Sequence, residues 1–319
     1  MVTDDKPIII NKESVAPGET RRFVVNIARL PSHAEIDLSI IVKRATEPGP
    51  SVLLMGGLHG DEINGVEIVR RLMQDDNLVL SKGSLIFIPI LNVFGFINFS
   101  RYVPDGKDVN RSFPGNKNGS LAARVANYLM KEIIPQIDYG IDFHTGAADR
   151  TNYPQIRCMM DDKDNRELAT AFQAPFTVHS KYRTKSLRQT AARLGKRILV
   201  YEGGESLRFD EYAIKEGIEG TKRFLKSLDL LENAPSAEND SIIIRSSSWV
   251  RAKISGVFTS YVKSGEPVSK NQVVGMISDP LGDNQSIKIK APVTGFVIGL
   301  NYNPVVHQGD ALMHLGKAG

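Results

Sequence analysis

The sequence predicts an α/β fold: a mixed, largely parallel sheet flanked by helices, followed by a small all-β domain. Three observations carry this. Apolar runs alternate with amphipathic stretches as far as about residue 228. The polar segment 232–240 (ENAPSAEND) then interrupts the pattern like a linker. From Ser241 the chain turns to short β-like runs with frequent glycine, and two pieces there look alike. Ser255-Gly256-Val257-Phe258 leads to residues 268–277 (VSKNQVVGMI), and Thr294-Gly295-Phe296-Val297 leads to residues 306–315 (VHQGDALMHL). Such a doublet suggests two interlocked halves. The expected domains are residues 1–231 and 241–319.

Each element has its own signal. Residues 51–58 (SVLLMGGL) are apolar throughout and read as a buried strand. A helix follows over 64–74, where Val66, Val69 and Met73 recur at helical spacing. Residues 84–90 (SLIFIPI) form a second strand. Gly119 and Ser120 start a helix through Leu121, Val125 and Leu129, which Pro135 closes. Residues 138–143 (DYGIDF), 155–160 (QIRCMM) and 197–201 (RILVY) are strands; 186–194 and 210–228 are helices. Ahead of all these, residues 21–27 and 35–42 alternate like strands and extend one side of the sheet.

Composition sets the bounds. The 319 residues allow two domains of about 150 each. With 41% hydrophobic and 24% charged residues, the chain is too apolar to be disordered. Its single cysteine, Cys158, excludes an intrachain disulfide framework and a cysteine-rich zinc site. The net charge of +4 is too thin to argue for a nucleic-acid partner. No apolar run approaches the roughly 18 residues of a spanning helix. The start, Met1-Val2-Thr3-Asp4-Asp5, lacks the basic-then-apolar order of a secretory signal. A cytoplasmic setting is expected, with no membrane partner, and a homo-oligomer is left open.

Three short segments carry chemistry. In Gly56-Gly57-Leu58-His59-Gly60-Asp61-Glu62 a strand ends, glycines bend the chain, and His59 and Glu62 precede a helix. A His and a Glu three apart on such an elbow can converge on one cation; the alternative is a turn that only caps the helix. Ile141-Asp142-Phe143-His144-Thr145-Gly146 ends another strand. His144 would complete a His₂Glu zinc site of the open, catalytic type, and Asp142, two residues before it, shares its face. The alternative is a core histidine bonded to its neighbours. His33, His179, His307 and His314 lack such settings and read as structural or surface residues.

The third segment is Leu199-Val200-Tyr201-Glu202-Gly203-Gly204-Glu205. An acid directly after an apolar strand is poorly solvated, which suits Glu202 to general-base work; otherwise it pairs with a basic side chain from 181–197. Between the first two segments runs the polar loop 98–115 (NFSRYVPDGKDVNRSFPG), whose Arg101 and Arg111 suit recognition of anionic groups. Residues 181–197 (KYRTKSLRQTAARLGKR) hold seven basic residues and no acids. A solvated helix face is the favoured reading, ahead of electrostatic guidance of an anionic substrate.

The ordered set GGLHGDE, DVNRSFPG, DFHTG and YEGGE resembles the succinylglutamate desuccinylase/aspartoacylase family, relatives of the zinc carboxypeptidases, over roughly residues 50–230. The resemblance implies one zinc ion per chain, held by His59, Glu62 and His144, with Glu202 as base and proton shuttle. It implies that Asn110 and Arg111 hold a substrate carboxylate and that Arg101 polarises the scissile carbonyl, although the spacing from Arg101 to Asn110 is longer than in aspartoacylases. Asp142 is expected, from spacing alone, to orient a zinc ligand. The implied activity is hydrolysis of the carbon–nitrogen bond in a small anionic acyl amide such as an N-acyl amino acid. A metallocarboxypeptidase acting on peptides and a non-catalytic ligand-binding relative are the alternatives.

The C-terminal half-repeats resemble the barrel-sandwich fold of lipoyl and biotinyl domains, which display a modifiable lysine on a hairpin. Here that hairpin reads SDPLGDN (278–284) with no lysine, and Lys288 and Lys290 are expected to face solvent. A carrier role is therefore not expected.

Overall fold

The computed structural model of the protein describes residues 7–147, 149–282 and 286–318. The N-terminal residues 1–5 and the hairpin positions Asp283 and Asn284 read above lie outside the described residues.

Four adjacent strands form the parallel heart of the sheet: Ser84–Ile88, Ser51–Met55, Tyr139–Gly146 and Arg197–Glu205, in that spatial order. The first two are buried at every position, as expected of strands covered on both faces. Alternate residues serve opposite cores. Leu53, Met55, Ile86 and Ile88 pack with the helix Leu121–Tyr128, and Val52, Leu54, Leu85 and Phe87 pack with Ile63–Met73, Lys163–Phe172 and Glu211–Ser227.

On either side of this heart the ladders become antiparallel. Thr20–Arg29 and Glu35–Arg44 form a hairpin that adds to Ser84–Ile88. On the other side Arg150–Cys158 runs antiparallel to Arg197–Glu205. The sheet is mixed, as expected, but it is not largely parallel, since antiparallel ladders lie on both sides of the centre and through the C-terminal part. Glu35–Arg44 joins Ser51–Met55, and Tyr139–Gly146 joins Arg150–Cys158, through segments too short for a crossover, so each flanking strand runs against the centre.

Two helices and three strands escaped the sequence reading: Val93–Ile97, capped by Asn92; Lys163–Phe172, capped by Asp162; Phe176–His179; and the small antiparallel pair Ile8–Ile10 and Glu13–Val15. The helix begun by Ser120 ends at Tyr128 and continues as a wider turn, Leu129–Ile133, before Pro135 stops it.

The C-terminal repeat folds as an exchange. The short strand Pro267–Val268 of the first half pairs with Gly295–Asn301 of the second, and Val305–Val306 of the second pairs with Gly256–Ser260 of the first. Their side chains share a core around Phe258, Val274, Ile277, Leu312 and Leu315. Lys288 and Lys290 are exposed.

The sheet itself does not stop at the linker. Ile242–Arg251 pairs parallel to Phe176–His179, and Gly295–Asn301 pairs with the start of Arg150–Cys158, so twelve strands form one hydrogen-bonded sheet among the described residues. No helix among them is long and apolar enough to cross a membrane.

Gly65 fixes how closely Ile63–Met73 lies on the central strand. A Cβ there would stand 2.6 Å from the carbonyl oxygen of Phe143, one residue before His144. Gly65→Ala is expected to push the helix off the strand and to cost about 1–3 kcal/mol of stability. A denaturant melt would measure that cost, and metal content should fall with it because Glu62 precedes the same helix.

Candidate metal centre and active site

His59, Glu62 and His144 arrive from two strand ends. His59 sits on the elbow after Ser51–Met55, Glu62 is the residue before the helix Ile63–Met73, and His144 lies near the end of Tyr139–Gly146. The crevice beyond the carboxyl ends of parallel strands is where open α/β sheets place their sites. Glu62 stands at the N-cap but makes no side-chain cap bond. Its carboxylate is used elsewhere: Oε1 lies 2.8 Å from His59 Nδ1 and Oε2 lies 2.6 Å from His144 Nδ1.

The outer nitrogens of both rings face acids. His144 Nε2 is 2.8 Å from Asp142 Oδ2, and His59 Nε2 is 3.2 Å from Asp108 Oδ1. An N–H on each Nε2 satisfies those carboxylates and leaves both Nδ1 atoms as lone-pair donors. The two Nδ1 atoms stand 3.2 Å apart. Tetrahedral zinc with bonds near 2.05 Å would separate its ligand atoms by about 3.3 Å. The set is buried, at 2%, 2% and 5% exposure for His59, Glu62 and His144. Two imidazoles and one carboxylate, all aimed inward, fit zinc well.

The electrostatics make the same demand. Burial disfavours an imidazolium at His59, but Glu62 and Asp108 outweigh it and raise its pKa. At His144 burial is likewise overcome, here by Asp142 and Glu62, and the pKa stands well above the ordinary value. Glu62 is itself driven far below the usual carboxylate range: burial opposes its charge, and the two histidines prevail. The acids around the two rings thus favour positive charge in this pocket.

Arg101 is held against this group. Its Nε and Nη2 reach Asp108 Oδ2 at 3.2 and 3.0 Å, and its Nη1 lies 3.3 Å from Glu62 Oε1. Asp108 also accepts from Asn110 N at 2.7 Å. It thus ties His59, Arg101 and the Asn110 turn together. Sequence reading passed over Asp108, although it stands two residues before Asn110 in the quoted motif, the spacing by which an Asp bonds a backbone N–H.

Asn110 accepts from Leu187 N through Oδ1 at 3.0 Å, which leaves its Nδ2 as a donor. Arg111 is exposed, and its one side-chain bond goes to Asn110 O. Burial draws the Arg111 pKa below its ordinary value; Asp108 opposes this, while Arg183 and Arg101 add to it.

All these residues except Asp108 line one cavity of about 420 Å³, shared with Glu202, Arg150, Arg183, Arg188 and Trp249. Glu202 is the register partner of His144 on the neighbouring strand. Its partner is Arg157, at 3.2 Å, rather than a basic residue of 181–197, because the antiparallel strand Arg150–Cys158 lies directly beside it.

The basic stretch also departs from a solvated helix. Only Leu187–Ala192 is helical, and Arg188 is buried, donating to the carbonyls of Arg157, Ser180 and Lys181. Trp249 comes from the C-terminal part, stacked on His314 at 4.3 Å with Arg150 over its ring. No motif had marked it.

Residues 48–228 match the model of the Succinylglutamate desuccinylase/Aspartoacylase catalytic domain. The chain belongs to this family. A similar curated protein is the N-alpha-acetyl-L-2,4-diaminobutyric acid deacetylase of Halomonas elongata, 28% identical over 287 residues, covering 85% of this chain and 83% of the relative. Among solved structures, a succinylglutamate desuccinylase/aspartoacylase from Rhodobacter sphaeroides matches with a TM-score of 0.83 and 24% identity, over 93% of this chain and 95% of its own. The product-bound ectoine utilization protein of Ruegeria pomeroyi matches with a TM-score of 0.85 and 21% identity, over 98% of both chains. These two share the fold.

Protons and a divalent cation compete for the same Nδ1 atoms. Zinc affinity of the metal-free protein is therefore expected to be weaker at about pH 6 than at about pH 8, as imidazole titration near neutrality dictates. Competition with a chelator at the two pH values measures it. The sign follows from the raised histidine pKa values, since ring protonation deepens as pH falls.

Proposed function

We propose that the protein is a zinc-dependent amidohydrolase that cleaves the amide bond of a small N-acyl amino acid. One observation carries the reading: a buried His₂Glu donor set shares a single cavity with the Glu202 carboxylate and with Arg111 and Arg183, which make no ion pair among the described residues. His59, Glu62 and His144 would hold the metal. Zinc bound there supplies Lewis acidity, polarising a carbonyl and easing ionisation of water. The deacetylase activity named for the Halomonas elongata relative is chemistry of this kind.

The chain's own residues divide the remaining work. Arg111, with Nδ2 of Asn110, binds the substrate carboxylate, since a guanidinium and an amide offer converging N–H donors. Anchoring that end fixes where the scissile carbonyl falls. Arg101 is held by Asp108 beside His59 and Glu62. Its fixed charge faces the carbonyl oxygen as negative charge develops there, so it stabilises the transition state more than the ground state. Glu202 takes a proton from the attacking water and delivers it to the departing nitrogen, leaving a carboxylate and an amine as products. Asp142 and Asp108 hold the histidine rings in the tautomer that presents Nδ1.

Glu202→Gln is expected to lower kcat by about 10²–10⁴-fold while zinc content stays complete. Arg111→Ala should act chiefly on KM. The assay uses zinc-loaded protein with Nα-acetyl-L-2,4-diaminobutyric acid, N-succinyl-L-glutamate and short peptides. Cleavage confined to the peptides would replace the deacylase reading with a carboxypeptidase; no cleavage at all would leave a binding protein.

A further inference from the structure

We propose that Asn152 and Arg157 are positioning residues that clamp Oε2 of Glu202, leaving Oε1 as the oxygen through which that carboxylate exchanges its proton. The inference rests on the assignment of Glu202 as the base and adds the two side chains that aim it. Asn152 Nδ2 donates to Oε2 at 2.5 Å, and Arg157 Nη2 lies 3.2 Å from the same atom. Every hydrogen bond and ion pair that the Glu202 side chain makes among the described residues falls on Oε2. Donors on one oxygen and none on the other remove the equivalence of the pair. Lone pairs already engaged by N–H groups are poor proton acceptors, so the proton goes to Oε1.

The strand is built to bring these two donors together. Positions 152 and 157 are five apart, and in a regular strand they would face opposite sides of the sheet. Against Arg197–Glu205, however, Gln155 pairs with Glu202 and Asn152 with Gly204, so Arg150–Cys158 carries one extra residue at Tyr153-Pro154. A bulge there returns Asn152 to the face of Arg157, and a proline, which has no N–H to give the ladder, suits that position.

Asn152 is also closely backed. Gly299 is the register partner of Asn152, and a Cβ at Gly299 would come within 2.7 Å of Asn152 Oδ1. The Nε of Arg157 is buried without a partner among the described residues, so the guanidinium forgoes one bond while Nη2 sits on Glu202.

Steady-state kinetics of Asn152→Ala, Arg157→Met, Arg157→Lys and Glu202→Gln would test the clamp. The probe is whichever of Nα-acetyl-L-2,4-diaminobutyric acid and N-succinyl-L-glutamate the wild type hydrolyses faster. Zinc content and melting temperature are measured alongside. Asn152→Ala and Arg157→Met are expected to lower kcat about 10- to 100-fold with KM within about threefold and zinc complete. Arg157→Lys should recover part of the loss, since it restores a cation beside Oε2.

A raised KM with unchanged kcat would make Arg157 a substrate ligand and overturn the proposal. Wild-type kcat in both Asn152→Ala and Arg157→Met, beside an inactive Glu202→Gln, would overturn the clamp alone. An active Glu202→Gln would instead defeat the base assignment beneath it. Should Arg157→Met fail to fold, Asn152→Ala decides, because it removes the shorter of the two bonds.

Discussion

Three electron-pair donors aimed at one another, in a space closed to solvent, are the constraint on which the rest depends. Nδ1 of His59, Nδ1 of His144 and the Glu62 carboxylate repel unless positive charge stands among them. Everything nearby serves to keep them there. Asp142 and Asp108 choose the tautomers, Gly65 lets the helix approach closely enough to bring Glu62 into range, and the helix forgoes a side-chain cap at Glu62. A cap is worth about 1 kcal/mol, so the local fold accepts a small loss to hold the arrangement.

The sheet acts as the ruler. Because neighbouring strands are about 4.8 Å apart, placing Glu202 in register with His144 sets the separation of the proposed base from the donor cluster with no further device. The bulge at Tyr153-Pro154 corrects the one place where regular alternation would turn a needed side chain away. Arginines then surround the mouth. Each acid lining the cavity is already engaged, Glu62 with both histidines, Asp142 with His144 and Glu202 with Arg157, so the guanidinium of Arg111, which makes no ion pair among the described residues, faces an opening that favours anions.

Much of this was legible from residue order alone, for particular reasons. Strands 51–55 and 84–88 are apolar at nearly every position, and the segments holding His59, His144 and Glu202 each lie at the end of such a run, so a short local pattern carried both the element and its place. The antiparallel flanks were not legible as such, because local pattern does not report which strand a segment will pair with. The helix Lys163–Phe172 is mostly polar, and its signals, Asp162 as cap with Leu168 and Phe172 four apart, were outweighed by its charge. Asp108 was hidden in a motif whose neighbours drew the attention. Asn152, Arg157 and Trp249 depend on pairing between segments far apart in the chain, and nothing short-range announces them.

The contact between Gly299 and Asn152 joins positions separated by nearly half the chain, whereas His59, Glu62 and His144 all lie within its first half. During synthesis, the ligand cluster can therefore close before the backing of Asn152 exists. Contacts so distant in sequence form late. A nascent chain would then bring its three inward-facing donors together while the wall around Asn152 is still unbuilt, so the two sides of the cavity are separate events in the assembly of the molecule.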